Sequence, residues 1–152
     1  MKISFKNKTE SKVKNMVLFV CVENAARSQM AEAFFRKYAP SDSFEVVSAG
    51  TKLASEINPI VIKAMRQIGI DISKQKPKET TEEMTRNATK IINMGCIDKN
   101  FCPTLFINKV IDWGIEDSKG KPLQKVEEIR DEIENRVLEL IDGLDNENKD
   151  ER

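Results

Sequence analysis

Met16-Val17-Leu18-Phe19-Val20-Cys21-Val22, followed at once by Glu23-Asn24-Ala25-Ala26-Arg27-Ser28-Gln29-Met30, is the stretch that decides the fold. Its first seven residues are continuously apolar and rich in β-branched and aromatic side chains, as a strand buried on both faces of a parallel sheet requires. Residues 16–22 are therefore expected to form the first, central strand. Helical spacing begins a few residues later: Met30, Ala31, Phe34 and Phe35 make an apolar stripe, Ser28 is a candidate N-cap, and Pro40 ends the helix after about Tyr38. Strand, tight loop and helix N-terminus are thus consecutive.

Further along the chain, residues 44–48 read as a second short strand closed by Gly50. Asn58 begins a helix in which Ile60, Val61, Ala64, Met65 and Ile68 share a face, and Gly69 stops it. A weaker helix near 80–87 precedes a third strand at 90–94, and residues 110–113 supply a fourth strand at the edge. Residues 123–144 carry Val126, Ile129, Ile133, Val137, Leu140, Ile141 and Leu144 at helical spacing, with Gly143 near the expected end. This alternation predicts an α/β fold: one three-layer α/β/α domain with a four-stranded parallel sheet and right-handed crossovers. A chain of 152 residues suits a single domain. Residues 1–15, with Lys2, Lys6, Lys8, Lys12 and Lys14, are expected to be a flexible basic extension, 16–144 the domain, and 145–152 a frayed polar tail.

Basic and acidic side chains cancel at 25 each, and no dense basic stretch interleaves with aromatics, so the sequence advertises no nucleic-acid surface. The longest apolar run is far below the roughly 20 residues that span a bilayer, and the first residues lack the apolar stretch of a secretory signal. We expect a cytoplasmic monomer with no membrane or nucleic-acid partner. The chain has no histidine, which removes the Ser-His-Asp triad, the Cys-His pair and most zinc sites. No metal is expected at the site, and any nucleophile must be activated by other means.

Residues 21–28 have the form Cys, five residues, Arg, Ser. Random placement of this chain's cysteines, arginines and hydroxyl residues would produce that form roughly 0.015 times. The bland reading makes Cys21 an ordinary core residue and Arg27 a surface one. The chemical reading joins three devices. Backbone N–H groups of a tight loop at a helix N-terminus form an anion cradle, supplied here by Glu23, Asn24, Ala25, Ala26, Arg27 and Ser28. The same positive field lowers a thiol from about 8.5 toward roughly 3.5–7.5, which lets Cys21 react without histidine. Arg27 adds a planar fork suited to phosphate-like oxygens. The Ser28 hydroxyl could donate to the thiolate, cap the helix, or do both. Glu23 should point outward, since a carboxylate near a bound anion repels it. In an open α/β sheet the ligand lies beyond the carboxyl ends of the strands, where the segments after Met94 and Trp113 also arrive.

With these residues in view, 21–28 resembles the phosphate loop of the superfamily of low-molecular-weight tyrosine phosphatases and thioredoxin-coupled arsenate reductases. Arg27-Ser28-Gln29-Met30-Ala31-Glu32, Ser48-Ala49-Gly50-Thr51, Gly69-Ile70-Asp71-Ile72-Ser73, Asp112-Trp113-Gly114-Ile115-Glu116-Asp117 and Arg130-Asp131-Glu132-Ile133 resemble arsenate reductase segments in order. The resemblance implies that Asp117 is the general acid for the leaving oxygen. Ser118 follows it where proline is usual. Asn24, Glu32 and Ser48 resemble positions that steady the loop in reductases, with an alkali cation as a candidate partner, and Pro77 interrupts the matching downstream pattern.

Both branches share nucleophile, arginine and acid, so the remaining thiols separate them. Cys96 follows Gly95, and Cys102 precedes Pro103, in loop-like sequence after the third strand. The resemblance implies a relay. Cys21 attacks arsenic, Cys96 forms a disulfide with Cys21 as arsenite leaves, Cys102 resolves it, and thioredoxin or a similar external dithiol resets the enzyme. The Cys96–Cys102 spacing is one residue shorter than in the best-known reductases. The alternative is a tyrosine phosphatase that uses Cys21, Arg27 and Asp117 alone, with Cys96 and Cys102 as structural thiols. A non-catalytic anion sensor ranks behind both.

Overall fold

The structure, a computed structural model, describes residues 15–95 and 110–150. Four parallel strands, β1 (Asn15–Cys21), β2 (Phe44–Gly50), β3 (Lys90–Asn93) and β4 (Val110–Asp112), form one sheet in the order β2-β1-β3-β4. Among the described residues, four helices pack on the sheet: α1 (Arg27–Tyr38), α2 (Pro59–Arg66), α3 (Glu82–Asn87) and α4 (Leu123–Asp150).

β1 is central because its run of apolar residues suits burial on both faces. It pairs with β2 along its whole length, from Asn15 with Phe44 to Cys21 with Gly50, and with β3 from Val17 to Val20. Val17, Phe19 and Cys21 face the larger core with Phe34, Phe35, Met65, Trp113 and Ile133, to which α1, α2 and α4 contribute. Leu18 and Val20 face the smaller core with Ala49, Ala88 and Ile91, over which Met84 of α3 packs. The result is the three-layer α/β/α architecture that the alternation predicts. Phe19 anchors the larger core, with ring centroids 6.1 Å from Phe35 and 5.7 Å from Trp113.

Several local expectations need correction. Asn15, expected in the extension, is the first residue of β1, paired with Phe44. Helix α1 starts at Arg27, with Ala26 in the cap position and no side-chain cap, so Ser28 lies inside the first turn. The last helix does not end near Leu144: α4 continues to Asp150, so the expected frayed tail is helical that far. The physical reason is that Gly143 is only a weak helix breaker, about 1 kcal/mol worse than alanine, and has no positive φ here. The Glu-, Asn- and Lys-rich sequence beyond it carries no stop signal such as proline. Among the described residues, no helix is long and apolar enough to cross a membrane.

Candidate active site

The loop between β1 and α1 is held open by its own carbonyl groups. Val22 O accepts from the backbone N–H groups of Thr51 at 2.9 Å and Lys52 at 2.8 Å. Glu23 O accepts from Ala54, Ala25 O from Asn58, and Ala26 O from Met30. Asn24 O accepts from Gln29 Nε2 at 3.1 Å. In a planar trans peptide, a carbonyl turned outward turns the next N–H the other way. Five successive carbonyls bonded outward therefore aim the amides of residues 23–27 at the concave side, next to the N-terminus of α1. That is an anion cradle.

Close packing enforces this geometry. Asn24 is fully buried at φ +53°, in the left-handed region that asparagine tolerates better than most residues. Gly50 lies against the loop so closely that a Cβ there would sit 2.5 Å from Val22 O and 3.0 Å from Asn24 N.

Cys21 ends β1 at the base of the cradle, 4% exposed, with Sγ 3.3 Å from the Asn24 backbone nitrogen and 2.9 Å from Ser28 Oγ. Either atom could be the donor in the second contact, and the surrounding hydrogen bonds leave the Ser28 proton available for it. Asn24 Oδ1 accepts from the Lys78 N–H at 2.7 Å and from Gln29 Nε2 at 3.0 Å, which fixes the amide. Its Nδ2 then donates to Ser28 Oγ at 2.7 Å and to Ser48 Oγ at 3.0 Å. Ser28 Oγ thus already accepts one bond, and its own proton can point at the Cys21 sulfur. A donor there favours thiolate over thiol.

Arg27 is almost buried, and its Nη1 donates to Ile115 O at 2.7 Å and Met94 O at 3.4 Å. These carbonyls follow β4 and β3, so the guanidinium is clamped at the sheet edge where the strands end. Its Nη2 lies 3.9 Å from Asp117 Oδ1. Asp117 is exposed, and the same oxygen accepts the Lys119 N–H at 3.0 Å, which shapes the turn that carries both residues to the cradle. Glu23 lies at the rim of the site, half-exposed, and Lys119 Nζ pairs with its carboxylate at 2.8 Å. That contact holds the Lys119 ammonium above the ordinary lysine range.

A cleft of about 390 Å³ opens above the cradle, walled by Cys21, Arg27, Ile57, Pro59, Asp117 and Lys119. No aromatic ring is among its described lining residues. The structure therefore brings Cys21, Arg27, Ser28 and Asp117 to one place. Cys96 and Cys102 lie outside the described residues. Gly95, directly before Cys96, has φ +112° and lies where a Cβ would come within 2.9 Å of Gly114 Cα, at the same sheet edge.

Three contributors escape a reading of the sequence. Gln29, fully buried in the first turn of α1, ties the loop to the Lys76 carbonyl at 3.1 Å. Lys78 and Lys119 reach the site from distant loops. Residue type marks none of the three: Gln29 lies off the stripe of Met30, Ala31, Phe34 and Phe35, on the side it shares with Glu32, and reads as solvated until the fold buries it.

Comparison with known proteins agrees with this geometry. The family model for low molecular weight phosphotyrosine protein phosphatase matches residues 16–150. An arsenate reductase of Brevibacillus brevis is 36% identical over 131 residues, covering 85% of this chain and 96% of its own length. One of Staphylococcus aureus is 35% identical over 122 residues, covering 79% and 91%. Among solved structures, the thioredoxin-dependent arsenate reductase of Corynebacterium glutamicum superposes with a TM-score of 0.74 at 34% identity, over 94% of this chain and 73% of that one. An arginine phosphatase from Geobacillus stearothermophilus superposes with a TM-score of 0.79 at 26% identity, over 91% and 97%. Matched along nearly all of its described length, the chain belongs to the low molecular weight phosphotyrosine protein phosphatase family.

Proposed function

We propose that this protein is an arsenate reductase that takes its electrons from its own thiols and is reset by thioredoxin or a similar dithiol protein. The observation that carries the reading is identity of 35–36% to arsenate reductases over about four fifths of the chain. The cradle suits a tetrahedral oxyanion, and the absence of an aromatic ring among the described cleft walls disfavours a phosphotyrosine pocket.

In this reading the cradle amides and Arg27 hold arsenate with its arsenic facing Cys21. The Cys21 thiolate forms a sulfur–arsenic bond as an arsenic–oxygen bond breaks, and Asp117 protonates the departing oxygen so that it leaves as water. The Cys96 thiolate then attacks the Cys21 sulfur. The electron pair of the sulfur–arsenic bond passes to arsenic, which falls from the +5 to the +3 state and departs as arsenite. The Cys21–Cys96 disulfide left behind is attacked by Cys102, giving Cys96–Cys102 and freeing Cys21. An external dithiol reduces that disulfide. Each turnover thus consumes two electrons, both supplied by thiols.

The test is arsenate-dependent NADPH oxidation with thioredoxin and thioredoxin reductase, beside phosphate-ester hydrolysis, for the parent and for Cys96→Ser. The reading expects arsenate turnover that requires Cys96, and weak ester hydrolysis that does not. Brisk ester hydrolysis without arsenate turnover would make the protein a phosphatase. Cys21, Arg27 and Asp117 suffice for that chemistry.

A further inference from the structure

Glu32 is a buried carboxylate, 4% exposed, inside the face of α1 that supports the anion loop. Its two oxygens are divided. Oε2 pairs with Arg36 Nη2 at 2.8 Å, while Oε1 accepts the Ser48 hydroxyl at 2.5 Å and lies 3.3 Å from Lys78 Nζ. Lys78 Nζ also lies 3.5 Å from Ser48 Oγ. Burial pushes the Glu32 carboxyl up, but the Ser48 bond and the Lys78 and Arg36 cations together outweigh it and hold it below the ordinary range.

Because an ionised carboxylate only accepts, Ser48 must spend its proton on Glu32 and offer its lone pairs to Asn24 Nδ2. One connected chain of hydrogen bonds then runs from Cys21 through Ser28, Asn24 and Ser48 to Glu32. Lys78 grips this chain twice: its ammonium balances Glu32, and its backbone N–H holds Asn24 Oδ1. The Lys78 carbonyl also accepts the Gly50 N–H at 2.8 Å, which locks the segment beside β2.

The family resemblance offers an alkali cation as a candidate partner for Asn24, Glu32 and Ser48. These residues do not fit one, because the Lys78 ammonium already takes the place between Glu32 Oε1 and Ser48 Oγ. We propose that Lys78 is a built-in cation and a positioning residue, which keeps Glu32 ionised and the Ser28 proton aimed at Cys21 without any bound alkali ion. The inference rests on Cys21 being the nucleophile, but not on arsenate being the substrate.

Among the described residues, the charged groups near Cys21 include Arg27, with Asp117 and the Glu23–Lys119 pair beyond it, and those facing Glu32 are Lys78 and Arg36. Only Lys78 is altered in the test. In a Cys96→Ser, Cys102→Ser background, Cys21 is the only thiol, and the pH dependence of its alkylation by iodoacetamide reports its titration. Lys78→Met should raise the midpoint by roughly half a pH unit, since a cation is removed while the backbone N–H stays. Lys78→Arg should restore it.

Potassium chloride should return the Lys78→Met midpoint toward that of the parent, whereas tetramethylammonium chloride at equal ionic strength should not. The parent should be indifferent to the choice of cation. An unchanged midpoint in Lys78→Met, or equal potassium sensitivity in parent and variant, would overturn the proposal. Lys78→Gln gives the same reading should the methionine variant fold poorly. Alkylation involves no arsenate, so a parent without arsenate turnover would refute the proposed function and leave this result standing.

Discussion

Lys119 Nζ lies 2.8 Å from the Glu23 carboxylate, so the segment that carries Asp117 is tied directly to the anion loop. Both side chains reach solvent, and such exposed pairs contribute only about 0–1 kcal/mol to stability. The consequence of the pair is electrostatic. Lys119 neutralises a carboxylate beside the anion cleft. Lys119→Met should leave thermal unfolding nearly unchanged but weaken competitive inhibition by phosphate several-fold, and adding Glu23→Gln should restore it. Equal inhibition in parent and Lys119→Met would refute this role.

Ser28 Oγ accepts from Asn24 Nδ2, and against a Cys21 thiolate, which can only accept, the Ser28 hydroxyl must be the donor. A hydrogen bond to a charged group is worth about 1.5–3 kcal/mol, which corresponds to roughly one to two pH units. Ser28→Ala should therefore raise the midpoint of Cys21 alkylation by that amount with little change in fold. A midpoint that does not move would mean that the hydroxyl points elsewhere.

Gly50 touches the anion loop where no Cβ fits. Gly50→Ala must displace Val22 O or Asn24, so it should cost about 1–3 kcal/mol of stability in urea unfolding and also weaken phosphate binding. Loss of stability with unaltered binding would show that the loop adjusts independently.

Gly143 is the contrasting case. It sits inside α4 without positive φ, and the place a Cβ would occupy is open space. Gly143→Ala should stabilise the protein by about 0.5–1 kcal/mol. Destabilisation in the same urea experiment would instead indicate a helix that ends at Gly143.

Glu32 sets an acid limit on stability. Its folded carboxyl is held below 4.5, the ordinary value, so its contribution is present above that value and is lost as pH falls through the folded one. Over the window below 4.5, the stability of the parent should fall with pH more steeply than that of Glu32→Gln. Parallel slopes would assign the acid sensitivity to other carboxylates.

The strand–loop–helix order around Cys21, the central place of β1 and the parallel α/β alternation were all legible in the amino-acid sequence. Each rests on local information: an apolar run of seven residues, helical spacing that begins soon after it, and a Cys-x5-Arg-Ser form too rare to arise by chance. What needed two distant segments came only with the folded chain. The outward carbonyl bonds that open the cradle come largely from residues 51–58, the clamp on Arg27 comes from backbone after β3 and β4, and the cation beside Glu32 comes from Lys78. Residue type carries no information about such pairings, because a lysine on a loop reads as solvated until the fold sets it beside a buried carboxylate. The end of α4 is hidden for a related reason. A glycine costs a helix only about 1 kcal/mol, and the turns on either side of Gly143 decide whether that cost is met.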